Sequence, residues 1–118
     1  VEDYVDLSRL ARVTTFRELD AFFTAPLHGF GDAETYYRTQ SSKNFLAGIR
    51  VPTLILRAVD DPLFDPADIP YAAIEDNPAL YGGFPQHGGH VGFIEGLRPG
   101  QHTYWAERQA ARFLALVI

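Results

Sequence analysis

The sequence contains no cysteine. That absence removes disulfide frameworks, thiolate nucleophiles, Cys-ligated zinc and iron–sulfur clusters together, and it suits a reducing, cytoplasmic setting. Lysine is nearly absent as well, Lys43 standing alone, and ten basic against fifteen acidic residues leave a formal charge of −5. Phosphate surfaces are bound by clustered Lys and Arg, so nucleic acid and anionic membranes are not the expected partners. No apolar run approaches the ~20 residues of a membrane span. The sequence starts at Val1-Glu-Asp, without an initiator Met or the basic start and apolar middle of a signal peptide, and reads as the continuation of a longer chain. What is present is apolar surface: 47% of the 118 residues are hydrophobic and 14% aromatic, which is the composition of a folded domain and not of a disordered one.

No repeat, low-complexity stretch or linker divides the chain, but its halves differ in pattern. Residues 1–49 read as helices, a cap-like segment. Leu7, Leu10, Ala11 and Val13 recur near helical spacing, and Thr15-Phe-Arg-Glu18 has the form of a capping box opening a helix over 16–23, with Pro26 closing it. Asp32 is placed to cap 33–39 and Ser42 to cap 43–48. Residues 50–118 read as strand, helix, strand, helix. Thr53 to Ala58 is a short, β-prone apolar run of the kind covered on both faces in a parallel sheet. Pro66 and Pro70 bound or limit a short helix reaching Asn77, a second strand covers 79–84, and Ala106, Ala110, Phe113, Leu114 and Val117 form one stripe of a last helix over 103–117. This order is α/β. Two strands do not make an independent sheet of the doubly wound kind, so the core is expected to need further strands.

Nearly all reactive groups fall in the loops after the two strands, where open α/β sheets place their sites. The first loop carries Asp60 and Asp61, which read either as turn residues beside Pro62 or as a carboxylate able to hold an imidazole by hydrogen bonding. The second is Gln86-His-Gly-Gly-His90-Val-Gly-Phe93, whose glycines let the backbone turn tightly and bring an imidazole, with its reference pKa of ~6.5, close to a substrate. A structural loop, or a metal shared by His87 and His90, are the other readings of the same residues.

Val51-Pro-Thr-Leu-Ile-Leu-Arg-Ala-Val-Asp-Asp-Pro-Leu-Phe64 resembles the penultimate strand and acid loop of α/β-hydrolases, and Gly88-Gly-His-Val-Gly92 resembles their histidine loop. Upstream, Phe16-Arg-Glu-Leu-Asp20, Thr24-Ala-Pro-Leu-His-Gly-Phe30 and Asp32-Ala-Glu-Thr-Tyr-Tyr-Arg38 with Ser41-Ser42 are similar to the YheT-like group of predicted esterases, and the resemblance extends from about residue 15 to 113. It implies the C-terminal part of a doubly wound fold and a Ser-His-Asp triad acting on a small-molecule carboxylic ester, without cofactor or metal. Within that group the acid stands three residues after a small position, here Ala58, so it maps to Asp61 in preference to Asp60. The base maps to His90 and not His87.

The nucleophile of such enzymes sits in a G-x-S-x-G elbow, and this sequence has none. Its serines, Ser8, Ser41 and Ser42, lack flanking glycines and read as surface or capping residues. The resemblance therefore implies a serine and an oxyanion hole upstream of Val1, and a 118-residue chain inactive by itself that associates with its missing half or with a copy of itself. His28, Phe30, Tyr36 and Tyr37 fall in the cap region and read as packing residues or as the lining of an acyl pocket. Arg57 is expected to pair with a carboxylate, and Trp105 to pack on the sheet or beside the histidine loop. A noncatalytic α/β binding module, and a hydrolase fold with its serine replaced, are the rival readings.

Overall fold

The structure is a computed structural model and describes residues 5–96, 98 and 100–118. The chain divides into two units, Val1–Asn44 and Phe45–Ile118, with a 3-10 turn, Ser42–Gly48, straddling the division.

In the first unit a 3-10 turn, Leu7–Arg12, is capped by the Asp6 carboxylate on the Ser8 N–H. The capping box at Thr15 forms in full: the Thr15 hydroxyl accepts the Glu18 N–H and Glu18 accepts the Thr15 N–H, opening α1 (Phe16–Leu19). Pro26 does not close this helix, contrary to the expectation from sequence. The chain widens into a π-helical turn, Asp20–Thr24, and then re-enters α2 (Ala25–Leu27). A wider turn accommodates a proline, which has no N–H to donate and crowds the preceding turn. The helix stops three residues later at Gly29, whose φ of 77° suits glycine, with Phe30 N–H donating to the Ala25 carbonyl and Gly29 N–H to that of Pro26. Asp32 caps α3 (Ala33–Gln40) through the Thr35 N–H at 2.7 Å.

In the second unit β1 (Thr53–Leu56) and β2 (Leu80–Gly83) pair in parallel, with Thr53 opposite Leu80 and Leu56 opposite Gly83. The connection between them holds a 3-10 turn, Pro66–Asp68, and α4 (Tyr71–Asp76), separated at Pro70. Asn77, buried at the end of α4, donates to the carbonyls of Leu46 and Ile49 and accepts the Ala79 N–H, so one side chain ties the segment entering β1 to the segment entering β2. A feature not expected from sequence follows: β3 (Ile94–Glu95) and β4 (Thr103–Tyr104) form a short antiparallel ladder, and α5 (Trp105–Val117) begins where β4 ends.

The sequence leads one to expect β1 covered on both faces, whereas all four of its residues are half-buried. Among the described residues β2 is its one neighbouring strand. On α5, Ala106, Ala110 and Phe113 lie on the more covered face, with Phe113 against Tyr81 at 5.2 Å between ring centres, while Leu114 and Val117 are exposed. The buried apolar residues of this unit are Leu46, Ala58, Ile69, Leu80 and Phe93. No helix among the described residues is long and apolar enough to cross a membrane.

Candidate active site

The parallel pairing continues past both strands. Arg57 N–H donates to the Gly83 carbonyl at 3.1 Å and Val59 N–H to that of Pro85 at 2.9 Å, so the two loops leave the sheet side by side. They then touch at backbone distance. Ala58 is fully buried, and a Cβ placed on Gly88 would lie 3.0 Å from the Ala58 Cβ and 2.8 Å from the Phe93 ring. A small residue at 58 and a glycine at 88 are therefore what this approach demands.

Asp61 and His90 meet across the contact, Nδ1 of the imidazole lying 2.9 Å from Oδ2 of the carboxylate. The Asp61 side chain is 3% exposed and that of His90 is 42% exposed, so the acid is covered while the ring reaches solvent. The other oxygen, Oδ1, accepts the Leu63 N–H at 2.9 Å across Pro62. The same carboxylate is thus both a turn residue and an imidazole partner, which reconciles the two sequence readings of this loop. Burial pushes the Asp61 carboxyl up, but the hydrogen bonds from His90 and Leu63, together with the charges of His90 and Arg57, hold it below its ordinary value.

Asp60 turns to a different set of groups. Its Oδ1 accepts the N–H groups of Gly88 and Gly89 at 3.0 and 2.9 Å, and its Oδ2 lies 3.2 Å from Nδ1 of His87. The Gly89 N–H, then His87 and the Gly88 N–H, keep this carboxyl below its usual value against a smaller opposing effect of burial. His87 and His90 are in this way drawn to different carboxylates, and among the described residues no group of three or more His, Cys, Asp or Glu could hold a metal ion.

The far end of the histidine loop is closed on itself. Phe93 N–H donates to the Gly88 carbonyl, and the Phe93 carbonyl accepts the Trp105 N–H. Phe93 has a φ of 44°, unusual for a residue with a side chain, and is buried with its ring stacked on Trp105 at 5.8 Å. Such a conformation costs about 1–2 kcal/mol, offset here by two backbone hydrogen bonds and the burial of an aromatic ring. Trp105 therefore sits beside the histidine loop and also against β2, where a Cβ on Gly83 would lie 3.4 Å from its ring, so it meets both places the sequence offers for it.

One face of the His90 ring is covered by Phe64, with ring centres 5.8 Å apart and planes 28° from parallel. The Arg57 guanidinium lies 5.0 Å over the same Phe64 ring and donates to the Asp65 carbonyl at 2.8 Å. The carboxylate partner expected for Arg57 is replaced by a backbone oxygen and an aromatic face. The role of Phe64 beside the imidazole, and that of Asp60 in holding the loop, were not read from the sequence; the Asp-Asp-Pro-Leu-Phe64 spacing is the signal both leave.

The remaining candidates lie in the Val1–Asn44 unit. Tyr36 packs between Phe30 and Tyr37, at 5.2 and 5.5 Å between ring centres. The Tyr37 hydroxyl donates to Asp20 at 2.5 Å, and this bond, with burial, pushes its pKa up to about 12. His28 ends α2. Ser8 donates to Asp6 within its own turn, Ser41 ends α3, and Ser42 begins the following 3-10 turn.

No family model matches the chain, and no solved structure does. Curated relatives do. The chain is 42% identical to YheT of Escherichia coli over 92 residues, 78% of this chain and 27% of that protein. It is 38% identical over 97 residues to medium-chain fatty acid ethyl ester synthase/esterase 2 of Saccharomyces cerevisiae, covering 82% of this chain and 20% of the relative. Against Phospholipase ABHD3 of Mus musculus the identity is 34% over 103 residues, 86% of this chain and 25% of the relative. The chain thus spans about a quarter of the length of the relatives it matches. By these relationships it belongs with the YheT-like esterases and lipases of the α/β-hydrolase superfamily.

Proposed function

We propose that this chain supplies the acid and the base of a Ser-His-Asp triad in a serine-dependent carboxylic ester hydrolase. It forms the carboxyl-terminal part of a doubly wound sheet, and the serine and oxyanion hole are contributed by sequence outside these 118 residues. The observation that carries the reading is the Asp61–His90 pair: a covered carboxylate 2.9 Å from Nδ1 of an imidazole that remains open to solvent. An acceptor at Nδ1 fixes the tautomer and leaves Nε2 as the nitrogen that exchanges protons. The esterase and lipase names of the relatives support an ester as substrate.

In the complete protein the serine oxygen attacks the ester carbonyl as His90 Nε2 takes the serine proton. The tetrahedral intermediate collapses with that proton going to the departing alcohol, leaving an acyl-serine. Water, deprotonated by His90, then attacks the acyl group, and the proton returns to serine as the carboxylic acid leaves. Asp61 stays ionised throughout and stabilises the imidazolium, consistent with its lowered pKa. This chain contributes proton transfer and orientation.

The test is hydrolysis of p-nitrophenyl esters, together with labelling by a serine-directed fluorophosphonate. The intact protein is expected to turn over ester and to take the label at a serine outside this chain, and the 118-residue chain alone to do neither. Saturable turnover by the short chain that depends on Ser41 or Ser42 overturns the placement of the nucleophile. An intact protein that neither labels nor hydrolyses overturns the esterase reading, and points to a binding module or a hydrolase fold without its serine.

A further inference from the structure

The two adjacent aspartates engage the histidine loop at different levels. Asp61 binds the imidazole itself. Asp60 binds the peptide groups just before it, one oxygen accepting two successive N–H groups, Gly88 and Gly89, while the other faces His87. The bond to Gly89 falls on the residue preceding His90, which is also the residue that turns the chain with a φ of 63°. A carboxylate that grips both peptide groups on the near side of this turn sets the direction in which the next Cα–Cβ bond leaves. The far side of the loop is already pinned, by Phe93 N–H on the Gly88 carbonyl and by Trp105 on Phe93. The segment from Gly89 to Gly92 is then the span left to be oriented, and it contains His90.

We infer that Asp60 is a positioning residue: by accepting the Gly88 and Gly89 N–H groups it holds the histidine loop in the one arrangement that places His90 Nδ1 on Asp61. The inference rests on the esterase reading only in taking His90 as the reacting base. The division of labour follows from geometry. The Asp60 carboxylate acts through where its oxygens lie, because its partners are two fixed peptide N–H groups, and its charge strengthens those bonds without being required to make them. An amide oxygen at the same place satisfies the same donors. A carboxylate displaced by one methylene group keeps the charge and misplaces both bonds.

Three variants of the intact protein test this: Asp60→Asn, Asp60→Glu and Asp60→Ala. Two readouts are followed, ester turnover and the low-field proton resonance of His90 Nδ1–H, which reports the hydrogen bond to Asp61 directly and without substrate. Misplacing a reacting group by about 1 Å costs on the order of 100-fold. Asp60→Ala and Asp60→Glu should accordingly lose about 10- to 100-fold in kcat with little change in KM, and the resonance should broaden or vanish in both. Asp60→Asn should keep the resonance and stay within about threefold of the parent rate, since it retains the acceptor oxygen. The inference is overturned if Asp60→Glu behaves as the parent while Asp60→Asn is impaired, which assigns Asp60 a purely electrostatic role, or if none of the three alters the resonance. If Asp60→Ala does not fold, the opposed predictions for Asn and Glu still decide the matter. A parent protein that hydrolyses no ester but whose resonance follows Asp60 removes the esterase reading and leaves the positioning role standing. An active esterase whose resonance ignores all three substitutions does the reverse.

Discussion

Two Asp–His pairs lie side by side in this molecule and differ in nearly everything but composition. Asp61 and His90 join a covered acid to a partly open ring, whereas Asp60 and His87 are joined in the open, with His87 almost wholly exposed. The distance in the first is 2.9 Å and in the second 3.2 Å. What separates them is the rest of each environment. His90 has its carboxylate at the Nδ1 edge and the Phe64 ring on one face, so its orientation is held from two directions, and Asp61 is fixed by the Leu63 N–H. Among the described residues His87 has the carboxylate of Asp60 as its hydrogen-bond partner, and that carboxylate is itself occupied by two peptide groups. A salt-bridged pair in water contributes little, so the exposed pair does its work through the backbone and the covered one through the imidazole.

The comparison can be broken most severely at the covered pair. Asp61→Asn should lower kcat for ester hydrolysis by the intact protein by about 10⁴-fold, the scale seen when the imidazole is left in the wrong tautomer. Equivalent loss from His87→Ala would erase the distinction; the expected loss there is only about twofold to threefold, because the two glycine N–H bonds to Asp60 remain.

Between these extremes lies the contact that brings both pairs together. Gly88→Ala drives a methyl group into Ala58 and the Phe93 ring and should destabilise the protein by about 1–3 kcal/mol, measured as a fall in the denaturant midpoint at unchanged m-value. A neutral result would show that the two loops are free to separate.

The smallest expected effect is a pH dependence. Both aspartates have pKa values below the ordinary carboxylate value of 3.8, so each contributes stability that is fully present well above that value and disappears as pH falls through the lower, folded-state pKa. The stability difference between the parent and Asp60→Asn should be the same at pH 7 and pH 6 and should shrink only below about pH 4. A difference that already changed between pH 7 and 6 would mean that a group other than the carboxylate sets it.

How far the sequence reaches depends on whether a feature is local. The capping box at Thr15, the Asp32 cap and the two short strands involve residues a few positions apart, and each is where the pattern places it. Pro26 misleads because a local rule, that proline ends a helix, is relaxed by a π-helical turn that carries no sequence signature of its own. The β3–β4 ladder was missed because each strand is two residues long, shorter than any alternation can register. Arg57 was expected to find a carboxylate because charge is legible; that it lies over Phe64 and donates to the Asp65 carbonyl depends on how the loop folds back. Asp60 shows the same limit most clearly. Two of its three partners are peptide groups nearly 30 residues away, and a backbone N–H has no letter in the sequence.

The measurement that bears most directly on the account is a double-mutant cycle on kcat for ester hydrolysis in the intact protein, with Asp61→Ala, His90→Ala and both together. Residues that act as one unit are strongly non-additive, so the double variant should be no slower than His90→Ala alone. Losses that multiply would mean that Asp61 and His90 act independently, and would contradict the pairing on which this reading of the chain depends.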